Sequence, residues 1–254
     1  MGIVQDTIVV VPCFNEALRL DVHAFRRALE DEPRLRFLFV DDGSKDRTAE
    51  ILQGLVDDVP GRALLLELEK NSGKAEAVRR GVLAAAEHSP ELVGYWDADL
   101  ATPLRLIARF ASTLEDPSLL IAMGSRLRRL GGAIERTAAR HYLGRVVATL
   151  AAATLGLGVY DTQCGAKLFR MNDVMRSVFE RPFQLRWCFD IEILARLLGL
   201  EARGLCNVSG QCVEIVLDTW VDTPGSKIGV RDVPKLLGEL ARLHAIVRRE
   251  RQRL

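Results

Sequence analysis

The chain has no long hydrophobic run, no cysteines at metal or disulfide spacing and no excess of charge of either sign, and each lack removes a class of protein. Its longest apolar stretch, residues 146–160, follows Arg145 and contains Gly156 and Gly158. A bilayer core takes roughly 20 apolar residues, so a buried or interfacial helix is expected there. The first five residues carry no basic side chain, and the apolar run at 7–11 is too short for a secretory leader. Five cysteines, at 13, 164, 188, 206 and 212, form no C-x-x-C pair, which argues against a disulfide framework or zinc ribbon and for a reducing cytoplasm. The four histidines, at 23, 88, 141 and 244, have no metal-ligand spacing. Lys+Arg 35 against Asp+Glu 34 gives no global attraction to a polyanion. Neither G-x-x-x-x-G-K-[ST] nor G-x-G-x-x-G occurs, so the two commonest nucleotide motifs are absent.

What is present is a 254-residue chain, 48% hydrophobic and 27% charged, suited to one large α/β domain. Short β-branched or apolar runs at 7–11, 35–40, 63–68, 92–96 and 119–123 alternate with amphipathic stretches at 21–30, 48–55, 74–87 and 104–114, the signature of a mostly parallel sheet covered by helices. Polar motifs after the first, second and fourth strands would share the carboxyl edge of that sheet, where open α/β sheets bind ligands. The second half is less regular: a Gly131-Gly132 loop, a helix over 134–155, a strand near 167–170, a helix near 190–198 and a strand near 213–217. A domain over 1–228 is expected, followed by a basic helix at 229–254 packed on it or extending from it.

Charge is unevenly spread. Residues 126–145 hold six arginines against Glu135, and residues 226–254 hold eight basic against three acidic side chains. Such surfaces suit phosphate or an anionic membrane face. They lack the aromatic interleaving of a single-strand platform, so no nucleic-acid partner is expected.

Four motifs carry chemistry. Pro12-Cys13-Phe14-Asn15-Glu16 follows the first strand, and Asp41-Asp42-Gly43-Ser44 ends the second. Adjacent acids there can accept bonds from a base N–H and ribose hydroxyls; a turn with helix capping by Asp46 or Thr48 is the competing reading. Asn71-Ser72-Gly73-Lys74 opens a helix whose N-terminus and lysine can face a diphosphate. Asp97-Ala98-Asp99 ends the fourth strand with the oxygen ligands that Mg²⁺ or Mn²⁺ prefers.

Together, in this order, these residues resemble family 2 glycosyltransferases of the GT-A fold, and within them the dolichyl- or polyprenyl-phosphate glucosyl- and mannosyltransferase branch. The match spans roughly residues 7–228 and continues through Gly124-Ser125-Arg126, residues 161–170, Arg186-Trp187-x-Phe189-Asp190-x-Glu192, Trp220 and Gly225-Ser226-Lys227. The resemblance implies Pro12, Phe14, Glu16, Asp41 and Asp42 around the nucleoside, and Lys74 with Asp97, Ala98 and Asp99 at the diphosphate. It implies Mg²⁺ or Mn²⁺ on Asp97 and Asp99, and Arg126, Arg140, Arg170 and Lys227 facing the diphosphate or an acceptor phosphate. Ala101 stands where the mannosyl pattern often has glutamine, and residues 161–165 and 186–190 look more glucosyl-like, which favours a UDP-sugar donor.

The resemblance further implies inverting transfer of a hexose to a polyprenyl-phosphate acceptor. A phosphate acceptor arrives ionised; a soluble hydroxyl acceptor would need a base, for which Asp190 is the first candidate and Glu192 the second. An N-cap on a helix beginning at Ile191 is the alternative role for Asp190. A nucleotidyltransferase is disfavoured because no glycine-rich basic loop follows the first strand, and a non-catalytic sugar-nucleotide binder because both metal-site acids are present. The expected location is cytoplasmic, with a peripheral seat on the cytoplasmic membrane face through residues 230–254 and 134–160 as the lipid-acceptor variant.

Overall fold

In the computed structural model, which describes residues 2–127, 133–135, 138–221 and 233–252, strand and helix alternate through the first half. The elements are β1 (Thr7–Cys13), α1 (Val22–Asp31), β2 (Leu35–Asp41), α2 (Thr48–Asp58), β3 (Ala63–Glu67), α3 (Lys74–Glu87), β4 (Leu92–Trp96), α4 (Leu106–Thr113) and β5 (Ile121–Ser125). Then follow β6 (Ala133–Glu135), α5 (Ala138–Leu155), β7 (Ala166–Arg170), α6 (Asp173–Glu180), α7 (Phe189–Glu201), α8 (Val208–Gln211), β8 (Cys212–Val216), β9 (Thr219–Val221) and α9 (Val233–Gln252).

Seven strands make one sheet in the order β3-β2-β1-β4-β7-β5-β8. β7 runs antiparallel to both β4 and β5; the other pairs are parallel. Because successive side chains point to opposite faces, the unbroken Ile8-Val9-Val10-Val11 run feeds two cores. Ile8 and Val10 join Val40, Val78, Tyr95 and the leucines of α7, while Val9 and Val11 join Phe25, Phe37, Phe39, Trp96 and Phe110. Burial on both faces is what a parallel strand between helical layers requires. Gly81 lets α3 lie directly on this sheet, since a Cβ there would fall 2.3 Å from Val10 Cγ1 and 2.8 Å from Val40 Cγ2.

One expectation needs correction, one element was not foreseen, and one open alternative is decided. Residues 133–135 are a strand paired with β9, not the start of the long helix, which begins at Ala138. α6 follows β7 unannounced, although Asn172 caps it by accepting from the Met175 amide at 3.0 Å. α9, expected either packed on the domain or extending from it, lies with its apolar side inside the molecule: Leu243, Ile246 and Val247 are buried in the core that contains α7. Glu239 of α9 accepts from the amides of Arg186, Trp187 and Cys188 at 3.0, 2.9 and 2.9 Å, fixing the entry to α7. On α5, Val147, Ala151 and Leu155 are buried while Val146 and Leu150 are exposed. Among the described residues no helix is long and apolar enough to cross a membrane.

Candidate functional site

β1, β2 and β4 all end at one sheet edge, with Cys13 beside Asp41 and Val10 beside Tyr95. β7 begins there, Ala166 beside Trp96, and α3 and α7 start above it. The edge therefore collects the ends of three parallel strands, the start of an antiparallel one and two helix N-termini, which are natural anion sites.

On the β1–β2 side, Pro12 and Phe14 are half-buried, and Glu16, Asp41 and Asp42 are buried. The Glu16 amide donates to Thr48 Oγ1 at 2.8 Å, and its carboxylate accepts from Arg19 at 2.7 Å. Asp41 accepts from the Ser44 hydroxyl and amide. Asp42 accepts from the Ser72 and Gly73 amides at 2.7 and 2.8 Å, tying the strand β2 acid to the turn before α3. Burial raises the Asp42 pKa, against those amide bonds and aided by neighbouring Asp41. Turn and capping chemistry thus coexists with the site: Asp46 accepts from the Thr48 amide at 3.0 Å and the Ala17 amide at 3.2 Å.

At the centre stand Asp97 and Asp99, with Ala98 buried between them. The Asp97 amide donates to Gly165 O at 3.0 Å, and a Cβ on Gly165 would fall 1.9 Å from Asp97 Oδ2. Only glycine admits the acid there, which explains the glycine of the 161–165 motif. Asp97 Oδ1 is ion-paired with Lys74 Nζ. Desolvation opposes the lysine's charge, but Asp97, Asp190 and Asp99 together raise its pKa. Asp99 Oδ1 accepts from the Ala101 amide at 3.1 Å, in a turn where Leu100 takes φ 53°. Among the described residues no three His, Cys, Asp or Glu side chains group to hold a metal. A two-carboxylate set fits Mg²⁺ or Mn²⁺ that draws its remaining oxygens from a diphosphate and water.

Beneath this pair lies a buried one. Lys167 Nζ donates to Asp190 Oδ1 at 2.5 Å and to Cys164 O at 2.7 Å, and the Tyr95 hydroxyl donates to the same aspartate oxygen. Burial and the Asp190 charge push the Tyr95 phenol well above its ordinary pKa, and burial lifts the Cys164 thiol to about 11. Asp190 lies inside the first turn of α7, whose N-cap is Cys188, so the N-cap role is not the one it plays. Glu192 is 0% exposed, and its oxygens accept from the Gln184 and Leu185 amides at 2.8 and 2.9 Å and from Arg196 at 2.7 Å. It is a structural acid and not a second base.

The expected cations divide. Arg126 makes a two-pronged bond to Asp161, Nε to Oδ2 at 2.7 Å and Nη2 to Oδ1 at 2.9 Å, with its guanidinium 5.5 Å from the Trp220 ring centre. Burial opposes both charges, yet their attraction raises the arginine pKa and holds Asp161 far below the usual carboxylate range. Arg170 is elsewhere. Because β7 runs antiparallel, Arg170 pairs with Leu92 at the far edge of the sheet, donating to Leu119 O and Asp116 O at 3.1 Å each. Arg140 falls on α5 with its side chain outside the description, and Lys227 lies outside the described residues. Two cations were not anticipated. Exposed Arg186 lies against Gly73 at the start of α3 and acts on Asp42. Arg145 stacks 3.6 Å over the Tyr160 ring, donates to Tyr160 O at 2.8 Å, and lines a small pocket with Arg126, Thr162 and Gln163.

Residues 8–177 match the sequence pattern described as Glycosyl transferase family 2. The chain is 33% identical over 239 residues to a dolichyl-phosphate beta-glucosyltransferase of Dictyostelium discoideum, covering 87% of this chain and 68% of that one. It is 30% identical over 248 residues to dolichyl-phosphate beta-glucosyltransferase ALG5A of Trichomonas vaginalis, covering 92% and 71%. Among solved structures, glucosyl-3-phosphoglycerate synthase from Mycobacterium tuberculosis, in complex with Mn²⁺, UDP and glucosyl-3-phosphoglycerate, superposes with a TM-score of 0.61 at 20% identity, over 97% of this chain and 80% of that one. At that identity the likeness shows the fold, which is GT-A.

Proposed function

The chain belongs to glycosyl transferase family 2 and is a glycosyltransferase, and from that premise we propose that it moves a hexose from a UDP-sugar to a polyprenyl phosphate with inversion at the anomeric carbon. The donor side rests on the cluster of Asp97, Asp99 and Lys74 at the α3 N-terminus, close to Asp42. Mg²⁺ or Mn²⁺ bound by Asp97 and Asp99 would neutralise charge developing on the departing diphosphate. Lys74 and Arg186 add positive charge from the protein at the same point. The glucosyl-type relatives, and the Mn²⁺ and UDP in complex with the mycobacterial synthase, support this choice of donor and cation.

The observation that carries the acceptor class is how Asp190 is held. Its Oδ1 accepts from Lys167 and Tyr95, and Glu192 is fully engaged. A hydroxyl acceptor needs a carboxylate disposed to take its proton, whereas a phosphate brings an ionised oxygen that needs only positioning. The acceptor oxygen bonds to the anomeric carbon as the bond from that carbon to the nucleotide diphosphate breaks, the diphosphate leaving with the electron pair. Asp190 serves as a fixed negative charge beside the positive character that grows on the sugar. The pocket between Arg126 and Arg145 receives the acceptor phosphate, and the exposed Val146 and Leu150 of α5 face the lipid at an anionic cytoplasmic membrane surface.

The test is a transfer assay with radiolabelled UDP-glucose, Mn²⁺ and a polyprenyl phosphate in detergent micelles. Label should move to the organic phase, and Asp99→Ala should lower the rate on the order of 10²–10³-fold while leaving the circular dichroism unchanged. Label transferred only to water-soluble hydroxyl acceptors, or wild-type rates in Asp99→Ala, would refute the reading.

A further inference from the structure

Lys74 already holds one of the two carboxylates that would bind a divalent cation. The ammonium is ion-paired with Asp97 Oδ1, one of the two carboxylates read above as the cation site. Asp97 has little room to serve both: its Oδ2 side is walled by Gly165, where even a methyl group would sit 1.9 Å away, and its backbone is bonded to Gly165 O. Lys74 is the mobile partner, a four-carbon stem on the first residue of α3 whose side chain is 40% exposed. Three carboxylates, Asp97, Asp190 and Asp99, attract it, so negative charge beyond its Asp97 partner also favours its place in the cleft.

We propose that Lys74 is an internal counter-ion that occupies the Asp97 carboxylate, where a cation would bind, until a nucleoside diphosphate draws it away. A cation arriving alone must detach the ammonium and then stand beside it, two positive centres with too few anions between them. A diphosphate arriving alone meets Asp97 and Asp99 with their charge only partly offset. Arriving together, the diphosphate takes the ammonium and the cation takes Asp97, so each ligand removes the obstacle to the other. Cation and diphosphate therefore bind strongly together and weakly apart, and the coupling is reciprocal by linkage. This rests on the cation-assisted donor site proposed above, where diphosphate oxygens on the cation already link the two bindings; it adds a residue of the protein that strengthens the link.

The test uses the full chain, with free Mn²⁺ followed by electron paramagnetic resonance and UDP by calorimetry, each with and without the other. In the wild type, saturating UDP should tighten Mn²⁺ binding at least tenfold, within the roughly 5–150-fold span common for coupled sites. Lys74→Met should tighten Mn²⁺ binding in the absence of UDP several-fold, weaken UDP binding, and lower the coupling factor several-fold, leaving the part that comes from the diphosphate oxygens on the cation; Lys74→Arg should retain the wild-type coupling. Lys74→Gln gives the same reading if methionine perturbs folding. Unchanged or weaker Mn²⁺ binding by Lys74→Met and Lys74→Gln, with the wild-type coupling factor intact, would overturn the proposal while leaving the donor site standing. Equal Mn²⁺ binding by wild type and Asp97→Asn, with or without UDP, would overturn both.

Discussion

Two lysine–aspartate pairs stand at one sheet edge in opposite environments. Lys167 and Asp190 have side chains 1% and 6% exposed, and Tyr95 donates to the same oxygen. Lys74 and Asp97 are 40% and 35% exposed. Desolvating two charges costs several kcal/mol, and removing one member of a buried pair strands the other; a half-exposed pair is screened and exchanges partners at little cost. The same two residue types thus make a fixture below and an exchangeable contact above. The fixture orients Asp190, and the exchangeable pair controls access to Asp97.

The largest effect expected from breaking this contrast is Lys167→Met, which should cost about 3–5 kcal/mol in urea unfolding, with Lys167→Met/Asp190→Leu less damaging than the single change. Lys74→Met should shift stability by no more than about 1 kcal/mol; equal losses in the two variants would erase the distinction between the pairs. Gly165→Ala separates position from stability. It forces Asp97 aside, so turnover should fall on the order of 10²-fold while the unfolding midpoint moves far less than in Lys167→Met; unaltered turnover would show that the close approach is dispensable.

The smallest effect is on pH dependence. The folded-state pKa of Asp161 is depressed, so the stability it contributes is fully present above the unfolded value of about 3.9 and is lost progressively below that, as pH falls through the depressed folded-state value. Asp161→Asn should flatten the fall of Tm below about pH 4 and leave the neutral slope alone. An unaltered acid limb would mean that the Arg126 pair does not contribute to stability.

What was legible follows from where the signal is local. β1, β2, β4 and α3 announce themselves by apolar runs and three- and four-residue spacing, and they carry Asp41, Asp42, Asp97, Asp99 and Lys74 to one edge. Strand direction has no such signal, so Arg170 is expected at the site although antiparallel β7 carries it to the far edge. β6 has three residues, too few to show a period. Glu192 is different, because helix geometry alone argues against it: residues two apart point to nearly opposite sides, so Asp190 and Glu192 cannot both face the cleft. Contacts such as Asp42 with the Ser72 amide, Gly165 against Asp97, or Arg186 beside Gly73 join residues distant in the chain, and no spacing rule reveals them.

The central claim, a cation-assisted uridine-diphosphate site on Asp97, Asp99 and Lys74, is tested most directly by calorimetric titration of UDP and GDP with and without Mn²⁺. The account predicts UDP binding that is at least tenfold tighter with Mn²⁺, weak binding of GDP, and loss of the Mn²⁺ effect in Asp99→Ala. UDP affinity indifferent to Mn²⁺, or a preference for GDP, would contradict it.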